Sequence, residues 1–338
     1  MSAAQTIDVT APWFEDFSVG QRFEAPGVTL TSGHAALHQA MFGDRLLLPL
    51  DQPLCNTVTG EARALAHPSL VANVAIGQTT HVSQRVKANL FYRGLRFLRP
   101  VFIDDTLRTT TTVVALRQNR PQAGRDATGI VGLEIDVRNQ DDEPVMKLWR
   151  APMLPCRDPQ AATGHDDVLD TIGANASDDD LLATVPRDWE LGAFKARSPL
   201  PHFDDLAPGV RFRIEARDAI TAAPELVRLT LNLAMAHLDP GASYLGQRLV
   251  YGGHTISMAF AQTVRALPSI LTVCGWRSCD HLAPVLEGDL LRTEVSVMRK
   301  IPARADGGVV ELRAETFASR SSAPEMRVLD WTFHVLLT

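Results

Sequence analysis

Two stretches of the chain each occur twice, in the same order and at nearly the same separation. FEDFSVGQRF (14–23) recurs as FDDLAPGVRF (203–212), and LRPVFIDDTLRT (98–109) recurs as LAPVLEGDLLRT (282–293). The copies are 189 and 184 residues apart. This period is far longer than the roughly 20–50 residues of a solenoid repeat. The sequence therefore predicts two homologous domains rather than an array.

These repeats divide the 338 residues into two halves of similar size. Residues 1–156 form the first predicted domain and residues 201–338 the second, in agreement with about 150 residues per domain. The intervening residues 157–200 are rich in Ala, Asp and Gly and carry an excess of acidic side chains. We therefore expect a solvated linker there, with one or two short helices.

Each half starts with helical segments and ends with runs typical of strands. Residues 254–267 are apolar on nearly every face and stop before Pro268, which indicates a buried helix. Along 309–320, apolar side chains alternate with charged ones, the period of a half-buried strand. Strands in succession after helices predict an α+β fold with an antiparallel sheet wrapped round a central helix. The other runs rich in β-branched residues are 106–118, 129–140, 145–154, 289–301 and 327–338.

The composition argues against several classes of protein. A formal net charge of −6 does not suggest the basic face of a nucleic-acid-binding protein. No apolar run approaches the roughly 18 residues that cross a bilayer. The first residues lack the basic start and apolar core of a secretory signal, so we expect a cytoplasmic protein. The four cysteines are too scattered for a disulfide framework and are predicted to be reduced and mostly buried.

The sequence predicts neither a metal site nor a cofactor. His34 and His38 lie four apart on a predicted helix and could hold a metal ion, but no third ligand is evident nearby. We favour a packed or solvated helix face for this pair. The matched acids of the repeat, Asp105 and Asp289, are predicted to serve in turns or at strand starts rather than in chemistry.

Three motifs resemble the MaoC-like family of R-specific enoyl-CoA hydratases and dehydratases. They are the opening F-E-D-F-x-V-G, the strand signature R-F-L-x-P-V-x-x-x-D-T-L at 96–107, and LVYGGHTIS at 249–257. The last is most similar to the mesaconyl-CoA hydratase branch. The resemblance implies a double hotdog fold and an acyl-CoA or acyl-carrier-protein thioester as substrate. It implies a monomer or a homodimer, because two fused hotdogs already supply the pairing that single-domain relatives obtain by dimerising.

The hydratase motif of this family is Gly-Asp-x-Asn-Pro-x-His followed by x-Asp, and neither half of the chain retains it completely. In the second half its His falls on His237 and its last Asp on Asp239, but Asn232 replaces the first Asp. In the first half the Asp falls on Asp44, and Pro49 replaces the His. One copy thus keeps the acid and the other keeps the base. Asp44 is also compatible with a helix-terminal charge at a degenerate site, the interpretation that we favour.

Hydration of an unsaturated thioester needs a base, an acid and a donor for the enolate oxygen. His237 can serve as base and then as acid, because imidazole titrates near neutral pH. Asn232 cannot take a proton but can orient a water molecule. The missing carboxylate would come from Asp239 or from the substrate. Five helical residues span about 500°, so the helix must end between Asn232 and His237 if both are to share a water molecule.

Gly252 and Gly253 precede the predicted buried helix, where free N–H groups can bind the thioester oxygen. The family has His-Gly-x at this position, and Tyr251 replaces its His. We assign Gly252 and Gly253 to the catalytic site and Tyr251, His254 and Ser257 to substrate binding. The alternative is a tight loop into a helix.

Three arginines in YRGLRFLRP, namely Arg93, Arg96 and Arg99, lie near a predicted strand start. Arg93 and Arg96 are assigned to substrate binding, since guanidinium groups suit the phosphates of a CoA or carrier-protein arm. A solvated strand end is equally compatible with these charges.

Two other functions remain open at this point. A non-catalytic protein that binds acyl thioesters would result if both motif copies had decayed. A thioesterase is a further possibility, because hotdog folds also carry that reaction, but it would need a carboxylate facing the thioester carbonyl.

Overall fold

The predicted duplication is confirmed, because both halves fold into the same succession of elements. The computed structural model describes residues 6–173, 176–320 and 323–338. Each half contributes six strands to one antiparallel sheet. The first half forms β1 (Arg22–Glu24), β2 (Val28–Thr29), β3 (Ala88–Phe97), β4 (Thr106–Gln118), β5 (Thr128–Arg138) and β6 (Pro144–Pro155). The second half forms β7 (Arg211–Arg213), β8 (Asp218–Ala219), β9 (Ile270–His281), β10 (Leu290–Arg304), β11 (Gly307–Arg320) and β12 (Ala323–Leu337).

The helices follow the same duplication. Each half has a long buried helix, and shorter helices or 3-10 turns precede it. The helices are α1 (Ser32–Phe42), α2 (Leu47–Leu50), α3 (Gln52–Thr59), α4 (Pro68–Gln78), α5 (Asp178–Leu182), α6 (Leu191–Lys195), α7 (Ala223–Leu229) and α8 (Gly252–Ala266). The 3-10 turns are Phe14–Asp16, Thr79–Val82, Phe203–Asp205, Met235–His237 and Pro240–Ala242. Among the described residues, no helix is long and apolar enough to cross a membrane.

The two halves join edge to edge through β3 and β9. The strand order is β1-β4-β5-β6-β3-β9-β12-β11-β10-β7, with β2 and β8 paired to β4 and β10. In the seam Tyr92 lies opposite Cys279, and Leu95 lies opposite Trp276. Neither β3 nor β9 is among the strands predicted from the sequence. Arginines interrupt the alternation of apolar and polar side chains along β3. The register of its pairing with β6 also shifts between Asn89 and Tyr92.

The sheet wraps α4 and α8, the two central helices. Every residue of α4 is buried, and so is α8 from Gly253 to Val264. The helices are joined by a hydrogen bond of 2.9 Å from Asn73 Nδ2 to Ser257 Oγ. The helix predicted at 254–267 is therefore correct and buried, and it begins two residues earlier. The fold class, an α+β double hotdog, agrees with the prediction.

The segment between the halves differs from the solvated linker that we expected. It forms the two short helices α5 and α6, but Leu181, Trp189, Leu191 and Phe194 are buried. They share an apolar cluster with sheet residues that include Leu271. These apolar side chains pack the segment against the sheet, while most of its carboxylates remain exposed. The few apolar residues are not apparent from the acidic composition of the segment.

Candidate active site

A cavity of about 260 Å³ lies where the C-terminal end of α4 meets the first turn of α8. Its wall combines both halves of the chain. The first half contributes Ile76, Thr80, Val86, Lys87, Ala88, Asn89, Tyr92 and Arg150. The second half contributes Asn232, Ala234, Ala236, His237, Tyr244, Leu249, Val250, Tyr251, Gly252, Thr255, His281, Leu282, Ala283, Pro284 and Val285.

His237 reaches this cavity because the chain leaves the helix before it. α7 ends at Leu229, Leu231 adopts a left-handed φ of 55°, and His237 lies in a 3-10 turn. The geometric condition for Asn232 and His237 to face one cavity is therefore met. His237 Nδ1 lies 2.9 Å from the carbonyl oxygen of Leu249. A carbonyl only accepts, so Nδ1 carries the proton and Nε2 keeps the lone pair of a base.

The environment of His237 favours its neutral form. Burial lowers the pKa of His237 below its usual value, and the hydrogen bond to Leu249 only partly opposes this effect. A neutral imidazole is the form that can accept a proton from water. The electrostatics of the site therefore suit a base at neutral pH.

Asn232 occupies the position of the family carboxylate. Its Oδ1 accepts a hydrogen bond of 2.9 Å from the Ala234 N–H. In the first half, Asp44 Oδ1 accepts the equivalent bond of 2.8 Å from the Leu46 N–H. With Oδ1 held in this turn, the amide NH₂ of Asn232 is available as a donor at the cavity wall.

The first turn of α8 begins at the cavity wall. Gly252 lines the cavity and is the first residue of α8, where backbone N–H groups have no partner within the helix. Within the described part of the chain, no side chain caps this turn. The helix dipole adds partial positive charge at the same place. This end of the helix can thus bind an oxyanion.

The corresponding end of α4 cannot do the same. There, His67 Nδ1 accepts the Ser69 N–H at 3.1 Å, and Pro68 has no N–H to offer. His67 Nε2 lies 3.1 Å from Asp44 Oδ2, and both side chains are buried. The first half therefore contains a closed and capped version of the site.

His281 is a cavity residue that sequence reasoning missed. It ends β9 and packs so closely on Gly252 that a Cβ at position 252 would lie 2.4 Å from His281 Nε2. Burial, together with the smaller effect of the nearby His237, lowers the pKa of His281 to about 4. The one available signal was its place directly before the repeated strand motif, at Leu282.

Arg150 was also missed, and it is 3% exposed at the cavity wall. It lies on β6 opposite Tyr92 of β3. Tyr92 and Tyr251 are buried beside it, and burial raises the pKa of Tyr92 to about 12. An arginine within a strand gives no sign in the sequence of which face it will occupy.

Several predicted site residues lie away from the cavity. Gly253 packs against Asn73, where a Cβ would lie 2.0 Å from Oδ1. Ser257 Oγ donates to the Gly253 carbonyl at 2.8 Å. His254 is fully buried against Phe42. These residues follow Gly252 along α8, and their packing joins the central helices and their surroundings.

The structure also places Asp239, Arg93 and Arg96 elsewhere. Asp239 is exposed, and its carboxylate caps the next turn by accepting the Gly241 N–H at 2.8 Å. Arg93 donates to the Leu169 carbonyl, and Arg96 pairs with Asp180 at 3.0 Å. Both arginines thus contact the segment between the halves, although they are three residues apart, and the register of β3 is irregular between them.

The chain thus has a double hotdog fold with a cavity in which the His237 imidazole lies near the first turn of α8. No family model matches the chain. Beta-methylmalyl-CoA dehydratase from Chloroflexus aurantiacus is 31% identical over 314 residues, covering 89% of this chain and 86% of the relative. Mesaconyl-CoA hydratase from Cereibacter sphaeroides is 28% identical over 323 residues, covering 91% and 89%.

Solved structures agree with these relatives. The Mycobacterium tuberculosis protein RV0216, which has a double hotdog fold, is 47% identical with a TM-score of 0.89, covering 98% of this chain and 100% of that one. A MaoC domain protein from Chloroflexus aurantiacus is 28% identical with a TM-score of 0.87, covering 98% and 99%. The chain belongs to the MaoC-like family of hydratases and dehydratases.

Proposed function

We propose that the protein adds water to a 2-enoyl thioester of CoA, or removes it from the 3-hydroxyacyl thioester, with His237 as the acid/base. The observation that carries this proposal is the shared cavity of His237 and the uncapped first turn of α8. The names of the two curated relatives, both acting on CoA thioesters, support CoA as the carrier. The proposal includes R stereochemistry, a cytoplasmic location, no cofactor, and a monomer or homodimer.

In the hydration direction, His237 Nε2 takes a proton from a water molecule held by the Asn232 amide. The water oxygen bonds to C3, and the electrons of the double bond move onto the thioester oxygen. The Gly252 N–H binds that oxyanion, since preorganised donors stabilise the charge that develops. The enolate then returns its electrons to form a C–H bond at C2, with the proton from the His237 imidazolium. The imidazole is thereby restored, and the atoms of one water molecule have been added.

The test is replacement of His237 by Ala, followed by hydration assays with a panel of 2-enoyl-CoA thioesters. Removal of an acid/base group costs about 10²–10⁴ in rate, so we expect kcat to fall by at least 100-fold. His34→Ala is the matched control, because His34 lies at the start of α1 and is hydrogen-bonded to Thr31. Wild-type turnover that survives in His237→Ala would overturn the assignment.

The same panel separates the alternatives. Tight binding of every thioester without turnover by the wild type would indicate a binding protein. Release of free CoA thiol would indicate a thioesterase. In the described part of the chain, however, no Asp or Glu lines the cavity, and a thioesterase would need a carboxylate facing the carbonyl. Hydration is therefore the function that the site supports best.

A further inference from the structure

The side chain of His281 brings a ring nitrogen from the sheet to the start of α8. His281 is the last residue of β9 and lines the cavity together with His237 and Gly252. Its Nε2 lies 2.4 Å from the position that a Cβ on Gly252 would occupy, closer than Cε1 at 2.7 Å and Cδ2 at 3.2 Å. That position is one bond from the Cα that also carries the Gly252 nitrogen. Nε2 therefore lies beside the N–H group that we assign to the thioester oxygen.

This nitrogen is not engaged by the protein. Among the described residues, His281 Nε2 is buried without a hydrogen-bond partner, so no N–H of the first turn of α8 donates to it. Within the same part of the chain, no carboxylate lines the cavity that could accept from it. The first half has the opposite arrangement, because His67 Nδ1 accepts the Ser69 N–H and closes the start of α4. His281 thus approaches the start of α8 without capping it.

The imidazole of His281 is neutral at pH 7. Burial and, to a smaller extent, the nearby His237 lower its pKa to about 4. A neutral imidazole has one N–H donor and one lone pair. With the proton on Nε2, the ring is a donor that does not exchange its proton near neutral pH. An uncharged donor also suits this site, because a second cation would oppose the formation of the His237 imidazolium.

We propose that His281 is a further catalytic residue, whose Nε2–H donates to the thioester oxygen beside the N–H of Gly252. This inference rests on the proposed function, because it uses the same oxyanion at the start of α8. The helix supplies one donor and the sheet supplies the other. Both bonds strengthen as the electrons of the double bond move onto the oxygen, so they lower the barrier to addition and to elimination of water. The proton of His281 stays on Nε2 throughout.

The test replaces His281 by Leu and by Gln and measures hydration of (E)-but-2-enoyl-CoA. His281→Leu removes the donor with little loss of volume, and kcat should fall about 100- to 1,000-fold, the usual effect of removing one oxyanion donor. KM should change little, because the bond is strongest once the charge has developed. His281→Gln should recover part of kcat, since the amide of Gln also carries N–H donors.

His165→Leu is the matched control, because His165 is half-buried in the segment between the halves and packs on Phe14 outside the cavity. Its kcat should equal that of the wild type. An unchanged kcat in His281→Leu would overturn the proposal. So would a loss that appears in KM alone, because it would assign His281 to the shape of the cavity.

An infrared measurement tests the donor without any turnover. Butanoyl-CoA, which has no double bond to hydrate, is isotopically labelled at the thioester carbonyl carbon, and its stretching frequency is compared between the free and the bound state. Hydrogen bonds to the oxygen lower this frequency, so we expect a smaller shift in His281→Leu than in the wild type or His165→Leu.

The two measurements separate the inference from the function on which it rests. If the wild type hydrates no enoyl thioester but His281→Leu reduces the infrared shift, the proposed reaction fails while the role of His281 as a donor stands. Equal shifts in the wild type and His281→Leu would contradict that role. If His281→Leu does not fold, the same comparison is made with His281→Gln, whose shift should differ from that of the wild type; an identical shift together with a reduced kcat would again overturn the proposal.

Discussion

The imidazole of His281 occupies the space that a side chain at Gly252 would need. A Cβ at position 252 would lie 2.4 Å from His281 Nε2 and 2.7 Å from Cε1. Gly252 does not have a positive φ, so its backbone conformation does not require glycine. The close contact with His281 does. The contact fixes the ring of His281 beside the amide that we assign to the thioester oxygen.

Gly252→Ala is expected to lower kcat/KM for the enoyl thioester by at least about 10-fold, because either His281 or the start of α8 must move away from the productive geometry. Steady-state kinetics of the purified variant provide the measurement. Gly192→Ala is the control, since Gly192 also lies in the first turn of a helix but has open space where its Cβ would be. Activity equal to that of the wild type in Gly252→Ala would show that the contact is unimportant.

Asn232→Asp should raise kcat on (E)-but-2-enoyl-CoA. The first half shows that a carboxylate fits this turn, because Asp44 makes the same bond to the backbone two residues later. A carboxylate beside His237 would stabilise the imidazolium and help to hold the water molecule. The comparison of kcat between the variant and the wild type tests this; a decrease with an unchanged fold would mean that the amide itself is needed.

The pH dependence of kcat/KM should have an acidic limb with its midpoint below 6.5. His237 must be neutral to act as the base, and burial lowers its pKa. The neutral fraction consequently persists to lower pH than for a free histidine, and activity is lost as the pH falls through the lowered pKa. In Asn232→Asp the limb should move to higher pH, because the added negative charge favours the protonated ring. A midpoint above 6.5 in the wild type would contradict the assignment.

The stability of the fold should fall as the pH decreases from about 6.5 towards 4. Burial lowers the pKa of His254 to about 4, and His254 Nδ1 and Nε2 have no partner within the described residues. Between these pH values the unfolded chain binds a proton that the folded chain does not, so the free energy of unfolding decreases with decreasing pH. His38, also buried, has a pKa lowered well below the usual value and acts in the same direction.

His254→Leu isolates this contribution. An apolar side chain of similar size leaves no unpaired polar atoms, so the variant should match or exceed the wild type at pH 7. Its free energy of unfolding, measured with urea, should depend less steeply on pH between 6.5 and 4. An identical slope in the two proteins would exclude His254 as a source of acid sensitivity.

The fold could be predicted because it depends on local sequence patterns, and these patterns occur in both halves of the chain. The repeated strings located both halves, and the β-branched run 106–118 coincides with β4. His237 and Gly252 could be paired because each stands in a recognisable motif. Their shared cavity depended on Leu231, whose left-handed conformation matches that of Gly43 in the first half although leucine disfavours it.

The remaining site residues depend on contacts that no local pattern records. Arg150 lies opposite Tyr92 because β6 pairs with β3, and it lies near Tyr251 at the start of α8, which is distant in sequence. Arg93 and Arg96 were assigned from their charge alone, whereas in the folded chain they contact Leu169 and Asp180. Asp239 was assigned from its motif position, yet a bond to Gly241 two residues away engages its carboxylate.

Pro68, the first residue of α4, has no N–H group that could bind an oxyanion at this end of the helix. To regain a working centre there, the chain would need an amide at position 68, an imidazole at position 49, and room where His38 and His67 now lie in contact. Single substitutions do not meet all three needs. Under the proposed function the first half takes no part in the proton transfers, so substitutions of its residues at the cavity wall can change the shape and charge of the cavity while the acid/base group is kept.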